Sequence, residues 1–205
     1  MKVLSAEFVT SAASADGVPR DGLPQIAVVG RSNVGKSSLI NALAGRSIAR
    51  ISAKPGKTRL ANLYRLHVAG GRADASGALA SWRFYLVDLP GYGYARGGQA
   101  AFDQFVAVTD AYFKGQVPGP NSVLLVLDAR HPGLDADLAA REWIDSLGGT
   151  VAMTATKIDK LSRAERARAL REFERHMKGP VLGVSADTGE GLDDLWIELL
   201  KMAGR

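Results

Sequence analysis

The sequence predicts an α/β domain built on a mostly parallel, six-stranded sheet with helices on both faces. Two observations carry that prediction. Short apolar runs alternate with helix-period segments along most of the 205 residues, the pattern that builds a parallel sheet. The first strong apolar run, Ile26-Ala27-Val28-Val29, leads into Gly30-Arg31-Ser32-Asn33-Val34-Gly35-Lys36-Ser37, which has the form G-x-x-x-x-G-K-[ST]. A helix-like stretch from Ser38 to Leu43 follows it. Strand, Gly-rich loop and helix in that order are the context a phosphate-binding loop requires. The two glycines let the backbone curl so that consecutive N–H groups point inward, an anion nest at a helix N-terminus. In such a loop Lys36 reaches the terminal phosphates and the Ser37 hydroxyl ligates Mg²⁺.

Residues 1–24 read as an N-terminal extension and loop, with residues 25–205 as the domain. Ala6-Glu7-Phe8-Val9 suggests a short docking piece, and 11–24 is rich in Ser, Ala, Asp, Gly and Pro, which marks a loop. The first strand covers 25–29, and Gly45 is placed to end the helix after the phosphate loop. Residues 46–59 contain Lys54-Pro55-Gly56-Lys57-Thr58-Arg59, where Pro-Gly breaks regular structure and the flanking cations suit a mobile loop near phosphates. Residues 60–68 alternate apolar and polar, as a half-buried strand does. His67 reads as a strand surface residue, since no partner cluster accompanies it. The small residues of 69–81 form a hairpin connection before a strand at 82–87. Residues 99–114 carry Phe102, Phe105, Val106, Val108 and Tyr112 at amphipathic helix spacing, closed by Pro118-Gly119-Pro120. Residues 121–127 are nearly all apolar, as expected of a parallel strand buried on both faces. Helices at 135–147, 162–178 and 192–202 then alternate with strands at 150–155 and 180–184.

The bulk properties narrow the function classes. There is no cysteine, which excludes disulfides, zinc-thiolate sites and thiol catalysis and fits a reducing cytoplasm. No apolar run approaches the roughly 18 residues of a membrane span, and the N-terminus lacks a signal-type apolar segment. The net charge of +5 favours polyanionic partners such as RNA, or equally a basic enzyme with no nucleic-acid role.

Three further stretches, all at strand ends, specify the nucleotide. Asp88-Leu89-Pro90-Gly91 is a D-x-x-G; its carboxylate suits Mg²⁺ through water, and nothing obstructs the Gly91 N–H from a γ-phosphate. Taken alone it is equally an ordinary turn. Thr156-Lys157-Ile158-Asp159 has the form [NT]-K-x-D. A carboxylate there accepts from both N1–H and the exocyclic amine of guanine, whereas adenine offers no N1 donor. Lys157 lies along the base. Ser185-Ala186 follows the last strand, where a backbone N–H could meet the guanine carbonyl, although on its own the dipeptide carries no signal.

In this order the motifs resemble the translation-factor-related P-loop GTPases, and most closely the EngB (YihA/YsxC) family. The resemblance rests on G-R-S-N-V-G-K-S-S-L-I-N at 30–41, P-G-K-T at 55–58, D-L-P-G-Y-G-Y-A at 88–95, D-A-R-H at 128–131 and T-K-I-D at 156–159. It covers about residues 6–202 and implies a single-domain P-loop GTPase fold that binds GTP or GDP with Mg²⁺. It makes Thr58 the switch I threonine, a second Mg²⁺ ligand beside Ser37, with Gly56, Lys57, Arg59 and Leu60 near the nucleotide. It makes 88–91 the switch II signature and gives 156–159 and 184–186 the guanine. Lys36, Thr58, Gly91 and Asn33 then lie nearest the chemistry. The family's role is assembly of the large ribosomal subunit in the cytoplasm, with effects on cell division and septation; a monomer is expected. Two departures stand out: the 69–81 connection is longer than usual, and Ile158 replaces a common Ala.

Many GTPases place a water-orienting glutamine just after D-x-x-G; here that residue is Tyr92, so intrinsic turnover should be slow. Asn33 matches the loop asparagine that binds K⁺ in K⁺-activated GTPases, and it serves either that cation or only a hydrogen bond within the loop. Arg46, Arg50, Lys54, Lys57, Arg59 and Arg96 form either an rRNA-docking surface ordered by GTP or a solvated loop. A nucleotide-gated interaction protein acting directly at the division machinery is the competing function. A kinase or ATPase is disfavoured by T-K-x-D.

Overall fold

A computed structural model describes residues 1–12, 17–50, 60–71, 79–92, 106, 109–110, 112–113 and 122–204. Among the described residues seven strands form one sheet: β1 (Lys2–Ala12), β2 (Gln25–Gly30), β3 (Ala61–Gly70), β4 (Ala80–Asp88), β5 (Ser122–Asp128), β6 (Thr150–Thr156) and β7 (Leu182–Gly183). Their order is β1-β3-β4-β2-β5-β6-β7. The pairs from β4 to β7 are parallel, while β1–β3 and β3–β4 are antiparallel. The α-helices whose full range lies among the described residues are α1 (Lys36–Ala44), α2 (Asp135–Ser146), α3 (Arg163–Met177) and α4 (Leu192–Ala203). No described helix is long and apolar enough to cross a membrane.

The period of two along the central strands divides their side chains between two cores. On one face Ile26 and Val28 of β2 and Leu124 and Val126 of β5 meet Leu39, Ile40 and Leu43 of α1 and Leu195, Trp196 and Leu199 of α4. On the other, Ala27 and Val29 with Val123, Leu125 and Leu127 meet Ala140 and Ile144 of α2 and Phe173 and Met177 of α3. A sheet covered on both faces explains why its central strands read as unbroken apolar runs.

Local chemistry sets the boundaries. Gly45 ends α1 at φ 65°, its N–H donating to the Ala42 and Asn41 carbonyls. Ser162 and Glu165 close a reciprocal capping box at the start of α3, satisfying donors the helix itself leaves open. Asn41 accepts from the N–H groups of Ile48 and Ala49 and donates to the Ala49 carbonyl, which fastens the chain leaving α1.

Two expectations are corrected. The sheet has seven strands rather than six, because Lys2–Ala12, expected to lie in an extension and loop, is the edge strand β1, paired with β3 from Lys2↔Ala69 to Ala12↔Ala61. Its signal was hidden by register shifts between Val3 and Ser5 and between Phe8 and Thr10, which break the two-residue alternation a strand normally shows. Only Ala6 and Ala12 of β1 are buried. The hairpin connection also starts later and ends sooner than 69–81, since Gly70 pairs with Ala80. Half-buried His67 lies in β3 opposite Arg83. The helix expected at 99–114 lies mostly outside the described residues, of which Tyr112 and Phe113 are helical and buried.

Candidate nucleotide site

Parallel strands β2, β4, β5 and β6 all end on the same edge of the sheet, and this edge collects the motifs. Gly30 ends β2 so tightly packed that a Cβ there would lie 2.5 Å from the Val126 carbonyl oxygen. Asn33 (φ 61°) and Gly35 (φ 109°) turn left-handed, and Gly35 caps α1. The first N–H groups of α1, which have no carbonyl partner within the helix, therefore face the concave side of the loop. Lys36 curls back: its Nζ donates to the carbonyls of Gly30 at 2.9 Å and Arg31 at 3.2 Å. Burial pushes the Lys36 pKa down, opposed by the nearby charge of Asp88.

Asp88, the last residue of β4, reaches the same point. Its Oδ2 accepts from Ser37 Oγ at 3.3 Å, and its buried Oδ1 has no hydrogen-bond partner among the described residues. Burial raises the Asp88 pKa while Lys36 and Ser37 pull it down. A hydroxyl beside a carboxylate with one orphaned oxygen is a hard-oxygen donor set that fits Mg²⁺. Gly91 packs on the phosphate loop, where a Cβ would stand 2.8 Å from the Ser32 nitrogen.

At the other end, Thr156 Oγ1 donates to the Val34 carbonyl at 2.6 Å and the Leu127 carbonyl at 3.0 Å. Lys157 adopts φ 63°, a strained conformation for a side-chain-bearing residue. Its amine lies back over the loop, where Nζ donates to the Asn33 carbonyl at 2.6 Å and Asp128 Oδ2 at 2.9 Å. Asp128 also receives Arg130 through Nη2 at 2.8 Å and Nε at 2.9 Å. Burial alone would raise the Asp128 pKa, but these hydrogen bonds outweigh it and hold the carboxyl well below its usual range. Asp159 accepts from Ser185 Oγ at 2.7 Å and lies 2.8 Å from Lys160 Nζ; those two contacts lower its pKa. Ile158 N–H donates to the Val184 carbonyl at 3.4 Å.

The structure thus brings together Gly30 to Ser37, Asp88 to Gly91, Thr156 to Asp159 and Val184 to Ala186. Leu60 is exposed. Gly56, Lys57, Thr58 and Arg59, with Lys54 and Arg96, lie outside the described residues. Three contributors carry no signal of their own in the sequence: Asn41 and Asp128 stand inside the longer family matches at 30–41 and 128–131, and Asp137 of α2 lies outside every motif. Asp137 accepts from both Arg31 Nε at 3.1 Å and Tyr92 Oη at 2.9 Å.

The chain is similar to known GTP-binding proteins. A protein-family model described as "50S ribosome-binding GTPase" matches residues 25–157. The "Probable GTP-binding protein EngB" of Pelotomaculum thermopropionicum is 39% identical over 210 aligned residues, covering 100% of this chain and 96% of that protein. The protein of the same description from Symbiobacterium thermophilum is 41% identical, with 93% and 92% covered. Among solved structures, Aquifex aeolicus Era bound to GDP·AlF4⁻ is 25% identical with a TM-score of 0.63, over 87% of this chain but only 56% of Era. A crystal structure described as a probable GTP-binding protein EngB shares the fold at TM-score 0.59 over 87% and 98% of the two chains, at 16% identity. With relatives this similar along nearly its whole length, the chain belongs to the EngB family of GTP-binding proteins and is a GTPase.

Proposed function

We propose that this GTPase is a slow switch in the assembly of the large ribosomal subunit, acting in the cytoplasm as a monomer and through that role needed for normal cell division and septation. The observation that carries the reading is the match of 25–157 to the 50S ribosome-binding GTPase family. Era has been solved with MgGDPNP and a segment of 16S ribosomal RNA, which supports rRNA as the partner class. The net charge of +5 suits a polyanion, and Arg46 and Arg50 are exposed beside α1. In this reading they form a docking surface with Lys54, Lys57, Arg59 and Arg96.

At the site, Gly30 to Ser37 wrap the phosphates of GTP or GDP, and Lys36 exchanges its loop carbonyls for phosphate oxygens. Ser37 and Thr58 would hold Mg²⁺, with Asp88 contributing through water; the metal would neutralise charge on the phosphate oxygens. Gly56, Lys57, Arg59 and Leu60 lie near the nucleotide, and Asp88 to Gly91 respond to the γ-phosphate. Asp159 accepts the two guanine N–H groups while Val184 to Ala186 present a backbone donor to its carbonyl. Slow turnover is supported by Tyr92, wholly buried where other GTPases expose a glutamine. Asn33, exposed at the loop rim, is the candidate K⁺ ligand, a cation there opposing charge developing on the phosphates.

Co-sedimentation with large-subunit particles, with GTP, GDP or no nucleotide, tests the proposal. Binding should depend on the nucleotide and weaken with salt. Binding indifferent to both refutes it.

A further inference from the structure

The two segments that would flank a γ-phosphate are tied together by a residue outside every nucleotide motif. Arg31 of the phosphate loop and Tyr92, just after D-x-x-G, form an isolated parallel β-bridge, with Ser32 N–H donating to the Tyr92 carbonyl at 2.9 Å. Beneath the bridge both side chains converge on one oxygen. Asp137 Oδ1 accepts from Tyr92 Oη at 2.9 Å and from Arg31 Nε at 3.1 Å. Asp137 and Tyr92 are both 0% exposed, and Asp137 Oδ2 has no hydrogen-bond partner among the described residues. Burying a half-satisfied carboxylate is unfavourable, and both of its hydrogen bonds go to residues bordering the phosphates.

We propose that Asp137 is a positioning residue that raises the affinity of this GTPase for GTP relative to its affinity for GDP. Through Arg31 and Tyr92 it fixes the start of the second switch against the phosphate loop, so the Gly91 N–H is already in place when a γ-phosphate arrives. A donor held in advance adds its full interaction, because no ordering cost is charged on binding. Once the clasp is loosened, the competent arrangement is only part-populated, and the apparent affinity falls by that fraction. The loss falls on GTP alone, since GDP has no group to reach Gly91. The proposal rests on the reading that Gly91 contacts the γ-phosphate. It also accounts for Tyr92: a side chain pinned in the core holds backbone and does not orient water.

Dissociation constants for GDP and a non-hydrolysable GTP analogue, at one Mg²⁺ concentration, test this in the full chain. Asp137→Asn keeps the side-chain shape but replaces the charged acceptor by a weaker neutral one, and Tyr92→Phe keeps the buried ring while removing its hydrogen bond to Asp137. The expected result for Asp137→Asn is an affinity for the GTP analogue lower by about fivefold to thirtyfold, with GDP affinity within about twofold, and a smaller change of the same kind for Tyr92→Phe. A thermal midpoint on each variant confirms folding, and if Asp137→Asn does not fold, Tyr92→Phe carries the test. Equal losses for both nucleotides, or an unchanged ratio, overturn the proposal and leave Asp137 a packing residue. Gly91→Ala separates the layers. If it leaves the ratio unchanged, the reading of Gly91 fails and the proposal with it; if it shifts the ratio while the clasp variants do not, the clasp alone fails.

Discussion

Replacing Asp128 by Asn removes a charge shared by two cations. Asp128 takes Arg130 Nη2 at 2.8 Å and Lys157 Nζ at 2.9 Å, and charge-assisted hydrogen bonds contribute about 1.5–3 kcal/mol each. The Arg130 side chain is 41% exposed, so solvent screens most of its share; the Lys157 bond, nearer the interior, keeps more. The expected loss is roughly 2–3 kcal/mol, or about 4–12 °C in the thermal midpoint of a protein this size. The pH dependence has a definite sign. The folded pKa of Asp128 lies below its ordinary value. Its stabilisation is therefore complete above the unfolded pKa near 4 and drains away as pH falls through the folded value. Urea unfolding of both proteins should show the widest gap at neutral pH and a narrowing one below about pH 4. Nucleotide affinity should fall too, because Lys157 also holds the Asn33 carbonyl. No gap at neutral pH, or a gap that does not change on acidification, refutes the reasoning.

Replacing Na⁺ by K⁺ should raise GTP turnover severalfold, and Asn33→Gly should abolish the difference; glycine suits the left-handed φ of 61° without new strain. Equal rates in both salts would remove Asn33 as a cation ligand. Deleting residues 1–12 should leave the β3 edge unpaired, lowering the urea midpoint and promoting self-association in sedimentation. A truncated chain as stable and as monodisperse as the intact one would show that β1 only decorates the sheet.

Legibility followed the range of the interactions. The phosphate loop could be read because its turn needs glycine at Gly30 and Gly35 and a cation at Lys36, all within eight residues. T-K-x-D could be read for the same local reason. β5 is legible because a strand buried on both faces is nearly all apolar, as Val123 to Leu127 are. β1 was missed because its register shifts scramble the alternation and its buried residues are two alanines. Asp137 was missed because nothing in Asp135-Ala136-Asp137-Leu138 distinguishes a buried acid from a helix-start surface acid. Its meaning comes from Arg31, 106 positions away, and only the folding of β2 against β5 and α2 supplies that. Lys157 and Asn33 stand out by motif, but their direct contact across 124 positions does not.

In the proposed function, the edge formed by β2, β4, β5 and β6 reads guanine through Asp159. Titrating GTP, ATP and XTP into the wild type and Asp159→Asn tests it most directly. Asp159 would give guanine two charge-assisted hydrogen bonds, so the variant should lose GTP affinity by roughly 10²–10⁴-fold. It should gain XTP, whose second carbonyl accepts from the new amide, while the wild type binds GTP far more tightly than ATP. A variant that binds GTP as well as the wild type would contradict the account.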